Sequence, residues 1–430
     1  MLPKPDYERD GIVLYLGDCQ DLLAEFPEHY FDSVITDPPY ELGFMGKKWD
    51  STGIAFQVET WGSVLRVVKP GAILLAFGGT RTYHRMTCAI EDAGFEIRDC
   101  MMWLYGSGFP KSMDISKALD KKAGVEREIL SERFTKSGGK ASINKTNKEQ
   151  GFRPNNYNEH GNILTVTAPS TEAAKQWEGW GTSLKPSYEP IVLAMAPLDG
   201  TFANNVLKHG CGGLNIDGCR IGTDGATKRS HQAEFQNEGI TGSVHATRGY
   251  RTGHEIVSLP QGRWPANTLL QHHPECGDKC HPDCPVRLLD EQSGVLKSGG
   301  RGSNIVKNTS TRSWKNTSEY VIANNPIEPS VGGASRFFYT AKASKRERGD
   351  FNKHPTVKPI AIMKYLCNLT KTPTGGVVLD PFAGSGTTVL ACIETGRPCI
   401  AIEKDRESFE IMVRRVENAL SKPKQLTMQA

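Results

Sequence analysis

Two short loops carry the residues best suited to chemistry. The first is Asp37-Pro38-Pro39-Tyr40, directly after the apolar run Ser33-Val34-Ile35-Thr36. Two prolines fix φ and stiffen the loop, and neither offers an N–H donor. Within four residues the loop presents a carboxylate, a carbonyl acceptor and an aromatic face. That set suits a planar substrate bearing an amino group. The exocyclic nitrogen of adenine or cytosine is a poor nucleophile because its lone pair is delocalised into the ring. The Asp37 carboxylate and the Pro38 carbonyl, by accepting its two hydrogens, would favour a pyramidal nitrogen, and Tyr40 would stack on the base. A base inside a duplex must be flipped out to reach such a pocket. Taken alone, the motif also reads as a Pro-Pro turn with a capping aspartate.

The second loop is Asp380-Pro381-Phe382-Ala383-Gly384-Ser385-Gly386-Thr387-Thr388, between Val377-Val378-Leu379 and an apolar stretch ending near Glu394. Glycines let a ligand approach the backbone, and a helix N-terminus favours an anionic group. A dinucleotide fingerprint needs another glycine where Val389 stands, and no Gly-Lys-Ser/Thr follows for a P-loop. Glu403 lies at the end of the next strand-like run, Cys399 to Ile402, where an acid accepts ribose hydroxyls.

The elements that position these loops fall in two regions. Residues 10–110 hold the strand candidate Ile12 to Leu16, a helical stretch Asp21 to Phe26, and the buried-strand run Gly71 to Phe77. Residues 350–420 hold the strands around the glycine loop, a helix over Thr388 to Glu394, and a last helix over Arg406 to Leu420 with Phe409, Met412, Val413, Val416 and Leu420 at helical spacing. Continuous apolar strands alternating with helices predict a doubly wound, mostly parallel sheet. Between them, residues 112–334 are rich in Gly, Ser, Asn, Thr and Lys, and read as a large loop-rich insertion. Islands at Ile191 to Met195 and Arg336 to Thr340 read as strands. The expected organisation is a catalytic half over 1–111, the insertion over 112–334 with the strand near 189–198 returning to the core, and a cofactor half over 335–430.

The 430 residues carry 52 basic and 48 acidic side chains, a net charge of +4. This excludes a histone-like field; a nucleic-acid partner would have to meet locally clustered charge. No apolar run reaches the roughly 20 residues that span a bilayer. Met1 to Asp10 lacks an apolar signal core, so the expectation is a cytoplasmic protein whose eleven cysteines stay reduced. Three are clustered. Cys276, Cys280 and Cys284 lie with His272, His273 and His281 inside thirteen positions. They would supply a tetrahedral structural zinc, with one of His272 or His273 as the fourth ligand and His273 the provisional choice. The spacing is not the usual CxxC knuckle, and a surface loop of reduced thiols stays open beside it. The insertion also carries Lys228, Arg229, Arg248, Arg251, Lys297, Arg301, Lys307, Arg312 and Lys315, with Trp177, Trp180, Trp264 and Trp314. Lys and Arg on phosphates would position such a region on DNA; for any one of them a solvated surface explains as much.

The two loops, in this order, resemble the β-group amino-methylating DNA methyltransferases of bacteria and phages. The resemblance extends to His354-Pro355-Thr356-Val357-Lys358-Pro359, to Gly17-Asp18-Cys19, to Gly106-Ser107-Gly108-Phe109-Pro110-Lys111, to Lys185-Pro186-Ser187-Tyr188-Glu189-Pro190 and to Ser335-Arg336-Phe337-Phe338-Tyr339, about half the chain. It implies a Rossmann-like α/β methyltransferase fold whose seven-stranded sheet has one reversed strand. It implies methyl transfer from S-adenosylmethionine to double-stranded DNA, with 112–334 as the target-recognition region. Asp37, Pro38, Pro39 and Tyr40 would be catalytic. Asp18, Cys19, Thr356, Lys358, Asp380, Phe382, Ala383, Gly384, Ser385, Gly386, Thr387, Thr388 and Glu403 would bind the cofactor, with Thr356 and Lys358 at its methionine end and Asp18 on its adenine side. Asp in first place leans to adenine N6 over cytosine N4. A homodimer and a separate cognate nuclease are compatible partners. An RNA or protein amino-methylating enzyme is disfavoured by Asp37, where such enzymes often carry Asn, and by the loop order; a non-catalytic DNA-binding protein, by the presence of both loops.

Overall fold

The computed structural model describes residues 2–42, 51–106, 108, 112–135, 157–158, 161–222, 227–229, 259–261, 263–297, 304–307, 320–323, 331–341 and 357–421. They form two compact units, Met1–Ser107 with Ser187–Ala430, and Gly108–Pro186.

The first unit is built on a ten-stranded sheet. Its strands in chain order are β1 (Tyr7–Arg9), β2 (Ile12–Leu16), β3 (Phe31–Thr36), β4 (Val68–Phe77), β5 (Glu96–Leu104), β6 (Tyr188–Met195), β7 (Thr268–Gln271), β8 (Tyr339–Ala341), β9 (Val378–Asp380) and β10 (Cys399–Glu403). Across the sheet they run β1-β2-β10-β9-β3-β4-β6-β5-β7-β8. The seven strands expected form its centre, β2 to β5 in that order, and three short strands extend its edges. Among the seven, only β6 is reversed, antiparallel to both β4 and β5. Residues 112–334 thus supply two strands of this sheet, β6 and β7.

The sequence explains the layering. Successive residues of a strand face opposite sides, and both sides of this sheet are apolar. Ile35, Leu75 and Val378 meet α8 (Ile360–Leu369), α9 (Thr387–Thr395) and α10 (Arg406–Leu420) through Ile362, Val389 and Met412. Val34, Leu74 and Leu379 meet α1 (Cys19–Glu25), α2 (Val58–Val67) and α3 (Tyr83–Asp92) through Leu23, Trp61 and Met86. β3 reads Phe-Asp-Ser-Val-Ile-Thr and is buried at all six positions. Its polar members are paired: Asp32 accepts from Lys69 Nζ at 2.7 Å and from the Val377 amide at 2.8 Å. Asp18 and Asp405 cap α1 and α10 by accepting from the Gln20 and Ser408 amides, the arrangement favoured at exposed helix donors. The expected strand over Arg336 to Thr340 is a 3-10 turn, Ala334–Phe337, followed by β8.

The second unit holds a helix over Ile115–Ala123 and a three-stranded antiparallel sheet. Buried Asp120 organises it, accepting from Arg127 Nη1, the Ser170 amide, and the amide and hydroxyl of Thr171. The polar stretches 136–156 and 308–319 fall outside the described residues. No described helix is long and apolar enough to cross a membrane.

Arg397 ties the core together. It is 2% exposed and donates to the carbonyls of Cys367 and Gly375 and the hydroxyls of Thr370 and Ser33. It thereby joins α8, the turn before β9, and β3. Each buried acceptor left unpaired costs about 1–3 kcal/mol. Arg397→Ala should lower unfolding stability by about 3 kcal/mol or more, read as a lower urea midpoint at unchanged slope; an unchanged midpoint would contradict this role.

Candidate active site

The site forms at the carboxyl edge of the sheet, where ligands of open α/β folds bind. Asp37 follows β3, Asp380 closes β9, Glu403 closes β10 and Asp18 follows β2. Because β6 is reversed, its first residues arrive at this same edge: Phe77 at the end of β4 pairs with Ile191, two residues after Glu189. Adjacent strands β3 and β9 put the two loops side by side. Thr36 Oγ1 donates to Asp380 Oδ1 at 2.8 Å across 344 residues of sequence.

The Asp37–Tyr40 loop is held by a buried ionic network. Lys358 Nζ lies 2.6 Å from Asp37 Oδ2 and 3.4 Å from Glu189 Oε2. The Tyr40 hydroxyl donates to Glu189 Oε2 at 2.7 Å, and Thr82 Oγ1 donates to the Tyr40 carbonyl. The ammonium also sits 5.1 Å from the ring centres of Tyr40 and Phe77. Burial works against its charge, but the carboxylates of Asp37 and Glu189 outweigh it and raise the Lys358 pKa above the ordinary lysine value. Burial, with Asp37 and Glu189 adding to it, pushes the Tyr40 hydroxyl well above its usual range. Burial first, then Glu189, takes the Tyr105 hydroxyl up to about 12. Both phenols therefore stay protonated as donors. The second carboxylate oxygen, Asp37 Oδ1, is buried and has no hydrogen-bond partner among the described residues. Such an orphaned acceptor is costly in a folded protein and marks a place for a donor from a ligand.

The glycine loop beside it is held from below. Arg415, buried, donates to the Ser385 carbonyl and hydroxyl and to Thr387 Oγ1. Gly386 has φ of +79°, and a Cβ there would stand 2.5 Å from Met412 Cγ, so only glycine lets the turn lie this close to α10. Phe382 packs its ring toward Trp61, 6.5 Å centre to centre, and the buried Ala383 bonds its amide to Ile402. The Gly384 amide donates to Glu403 Oε2 at 2.7 Å and the Asp405 amide to Oε1. Burial raises the Glu403 pKa, partly offset by those amides. Asp18 accepts from the Gln20 amide and Lys404 Nζ; burial opposes its ionisation, and these two bonds overcome it and lower its pKa. Cys19 is buried, and its thiol is pushed up to about 12, mainly by burial. Thr356 lies outside the described residues.

The structure brings Asp37, Tyr40 and Lys358 together, and Asp380 beside them. Lys358 pairs with the carboxylates of Asp37 and Glu189. Glu189 belongs to the same network and was only part of a matching stretch in the sequence; its signal was its place before an apolar run that proved to be the reversed strand. The cysteine cluster lies elsewhere, at the end of β7, where one ligand atom each of His272, Cys276, Cys280 and Cys284 lies within 4.8 Å of the others. The expected His273 instead stacks on His281, with ring centres 4.1 Å apart. The acidic edge formed by Asp18, Asp37, Asp380 and Glu403 suits a cationic sulfonium donor with ribose hydroxyls. It offers poor company to a pyrophosphate, since Lys358 and Lys404 are already committed to carboxylates.

Residues 31–414 match the model of the N6/N4 DNA methylase family. The chain belongs to that family. The Type II methyltransferase M.HindIII of Haemophilus influenzae is 23% identical over 364 residues, 84% of this chain and 68% of that one. The DNA adenine methyltransferase YhdJ of Escherichia coli is 41% identical over 70 residues, 16% of this chain and 24% of YhdJ, so that match spans about a quarter of the relative. Among solved structures, the PvuII cytosine-N4-specific DNA methyltransferase is 12% identical, with 96% of this chain and 88% of that one covered at a TM-score of 0.43.

Asp380 provides a pH test of this geometry. Burial, with the charge of Asp37 adding to it, pushes its carboxyl up to about 7 against the bonds from Thr388, Thr36 and the Phe382 amide. An unfolded aspartate ionises near 3.9. The folded state therefore binds the proton more tightly, and stability falls as pH rises from about 4 to about 7, then levels. Asp380→Asn keeps the acceptor for Thr36 and Phe382 and removes this slope. The melting temperature of the wild type should drop relative to Asp380→Asn between pH 5 and pH 8; parallel profiles would contradict the assignment.

Proposed function

We propose that the protein transfers a methyl group from S-adenosylmethionine to the exocyclic amino nitrogen of a flipped-out base in double-stranded DNA, adenine N6 before cytosine N4. The observation that carries this reading is Asp37 Oδ1, a buried acceptor without a partner among the described residues, on a carboxylate whose other oxygen is fixed by Lys358. When bound, S-adenosylmethionine supplies an electrophilic methyl on a sulfonium sulfur. The residues around the glycine loop suit its binding: Glu403 and Asp18 for the hydroxyl and amino groups of its nucleoside, and the turn at Gly384 to Gly386 for close backbone approach.

The chain's own part is to prepare the nitrogen. Asp37 Oδ1 and the Pro38 carbonyl accept the two amino hydrogens and draw the lone pair out of conjugation. Tyr40, its hydroxyl anchored on Glu189, holds its ring as a stacking face. One amino proton leaves as the new N–C bond forms, and the Asp37 carboxylate is placed to receive it. Lys358 keeps that carboxylate oriented. Such a preorganised acceptor is worth about 10²–10³ in rate.

We place DNA recognition in residues 112–334. Exposed Trp177 and Trp180 meet edge to face 5.4 Å apart, and exposed Trp264 lies under the Arg220 guanidinium. Arg248, Arg251, Arg301, Arg312, Trp314 and Lys315 are outside the described residues. The preference for adenine rests on Asp in first place and on the adenine-methylating name of YhdJ.

Expression in a host without its own DNA methylation, followed by nuclease digestion and mass spectrometry of nucleosides, tests the reading. N6-methyladenine should accumulate, and Asp37→Ala should reduce it at least 100-fold. N4-methylcytosine in its place would move the substrate to cytosine. Unmodified DNA beside methylated RNA or protein would overturn the DNA reading. A second expectation concerns the network: Lys358→Met should lower the methylation rate about tenfold or more, with a smaller effect on S-adenosylmethionine affinity measured by calorimetry, and equal losses would place Lys358 on the cofactor.

A further inference from the structure

We propose that His272, Cys276, Cys280 and Cys284 bind one Zn²⁺ tetrahedrally, through His272 Nδ1 and three thiolates, and so clamp the edge of the sheet to the helix that follows. The four ligand atoms lie within 4.8 Å of one another. His272 Nδ1 is 3.3 Å from Cys284 Sγ and 3.6 Å from Cys280 Sγ. Zinc bonds of about 2.3 Å to sulfur and about 2.0–2.1 Å to nitrogen, at tetrahedral angles, place N and S about 3.5 Å apart and two sulfurs about 3.8 Å apart. A neutral imidazole nitrogen makes one strong hydrogen bond to a thiol, whereas here two sulfurs crowd the same nitrogen. A shared ion explains that arrangement. The space between four atoms this close admits one ion and no multi-iron cluster, and a sulfur-rich tetrahedral set selects zinc among divalent metals.

The surroundings are built for a fixed site. Cys284 is fully buried and packs with Leu270 and Val286. The His281 amide donates to Cys276 Sγ at 3.3 Å, the kind of outer bond that supports a metal-bound sulfur. The Cys276 amide bonds the His273 carbonyl and the Cys284 amide bonds the His281 carbonyl, so two tight turns deliver the cysteines to one point. His272 follows β7 directly, and its amide bonds the Ala341 carbonyl of β8. Cys284 is the N-cap of the helix Pro285–Ser293. One ion would thus fasten β7 and β8 to that helix. The role is structural and independent of the methyl transfer.

The test uses the full-length protein. Dialysed protein should retain about one zinc per chain by plasma mass spectrometry. After chelator stripping, the wild type should take up one equivalent of Co²⁺, with the intense visible bands of tetrahedral cobalt and near-ultraviolet thiolate charge transfer, and its melting temperature should recover. His272→Ala should lower zinc occupancy at least tenfold at equimolar zinc, while His273→Ala keeps it. Stripped wild type that binds neither ion, bound cobalt without charge-transfer bands, a disulfide among the three cysteines, or equal losses in both histidine variants would overturn the proposal. Because the cobalt spectrum is read on the wild type, poor folding of a variant leaves the proposal open to refutation.

Discussion

The neighbourhood of β3 and β9 is the constraint on which the rest depends. One strand delivers the Asp37–Tyr40 loop and the other the glycine loop, and the two lie more than 340 residues apart in the sequence. Their hydrogen-bonded pairing, sealed by Thr36 on Asp380, converts a long separation in sequence into contact at one sheet edge. Parallel order makes both strands end on the same side. The core enforces it, since Val34, Ile35, Val378 and Leu379 must all be buried.

The reversed strand adds the second half of the site. A parallel strand in its position would present its last residues at this edge; β6 presents its first. Glu189 is therefore available to bind Lys358 and Tyr40, and Lys358 in turn orients Asp37. A buried cation between two carboxylates and two aromatic rings resists reorganisation. It leaves one carboxylate oxygen, Asp37 Oδ1, without a partner among the described residues, a costly feature of the kind that functional sites tolerate.

The fold and the family were legible where the signal is local. Asp37-Pro38-Pro39-Tyr40 and Asp380 to Thr388 announce themselves by residue type, and continuous apolar runs such as Ile12 to Leu16 and Gly71 to Phe77 mark buried strands. What depends on pairing was not legible. β5 mixes Glu96, Arg98 and Asp99 with apolar residues, and β7 is four residues long, so neither carries a clear period. The partnership of Glu189 with Lys358 requires knowing that one strand is reversed. His272 and His273 are adjacent and alike in type, so residue type does not choose between them; in the structure the His272 amide bonds the Ala341 carbonyl and its Nδ1 lies 3.3 Å from Cys284 Sγ.

The central claim is that Asp37 acts on the substrate's amino group through the oxygen Lys358 leaves open, with the cofactor held by a different part of the site. Its most direct test is single-turnover methyl transfer from labelled S-adenosylmethionine to duplex DNA, comparing wild type with Asp37→Asn, with cofactor affinity measured on the same samples. A rate loss of about 100-fold or more is expected, with affinity changed less than severalfold. Transfer at the wild-type rate, or a loss of affinity matching the loss of rate, would contradict it.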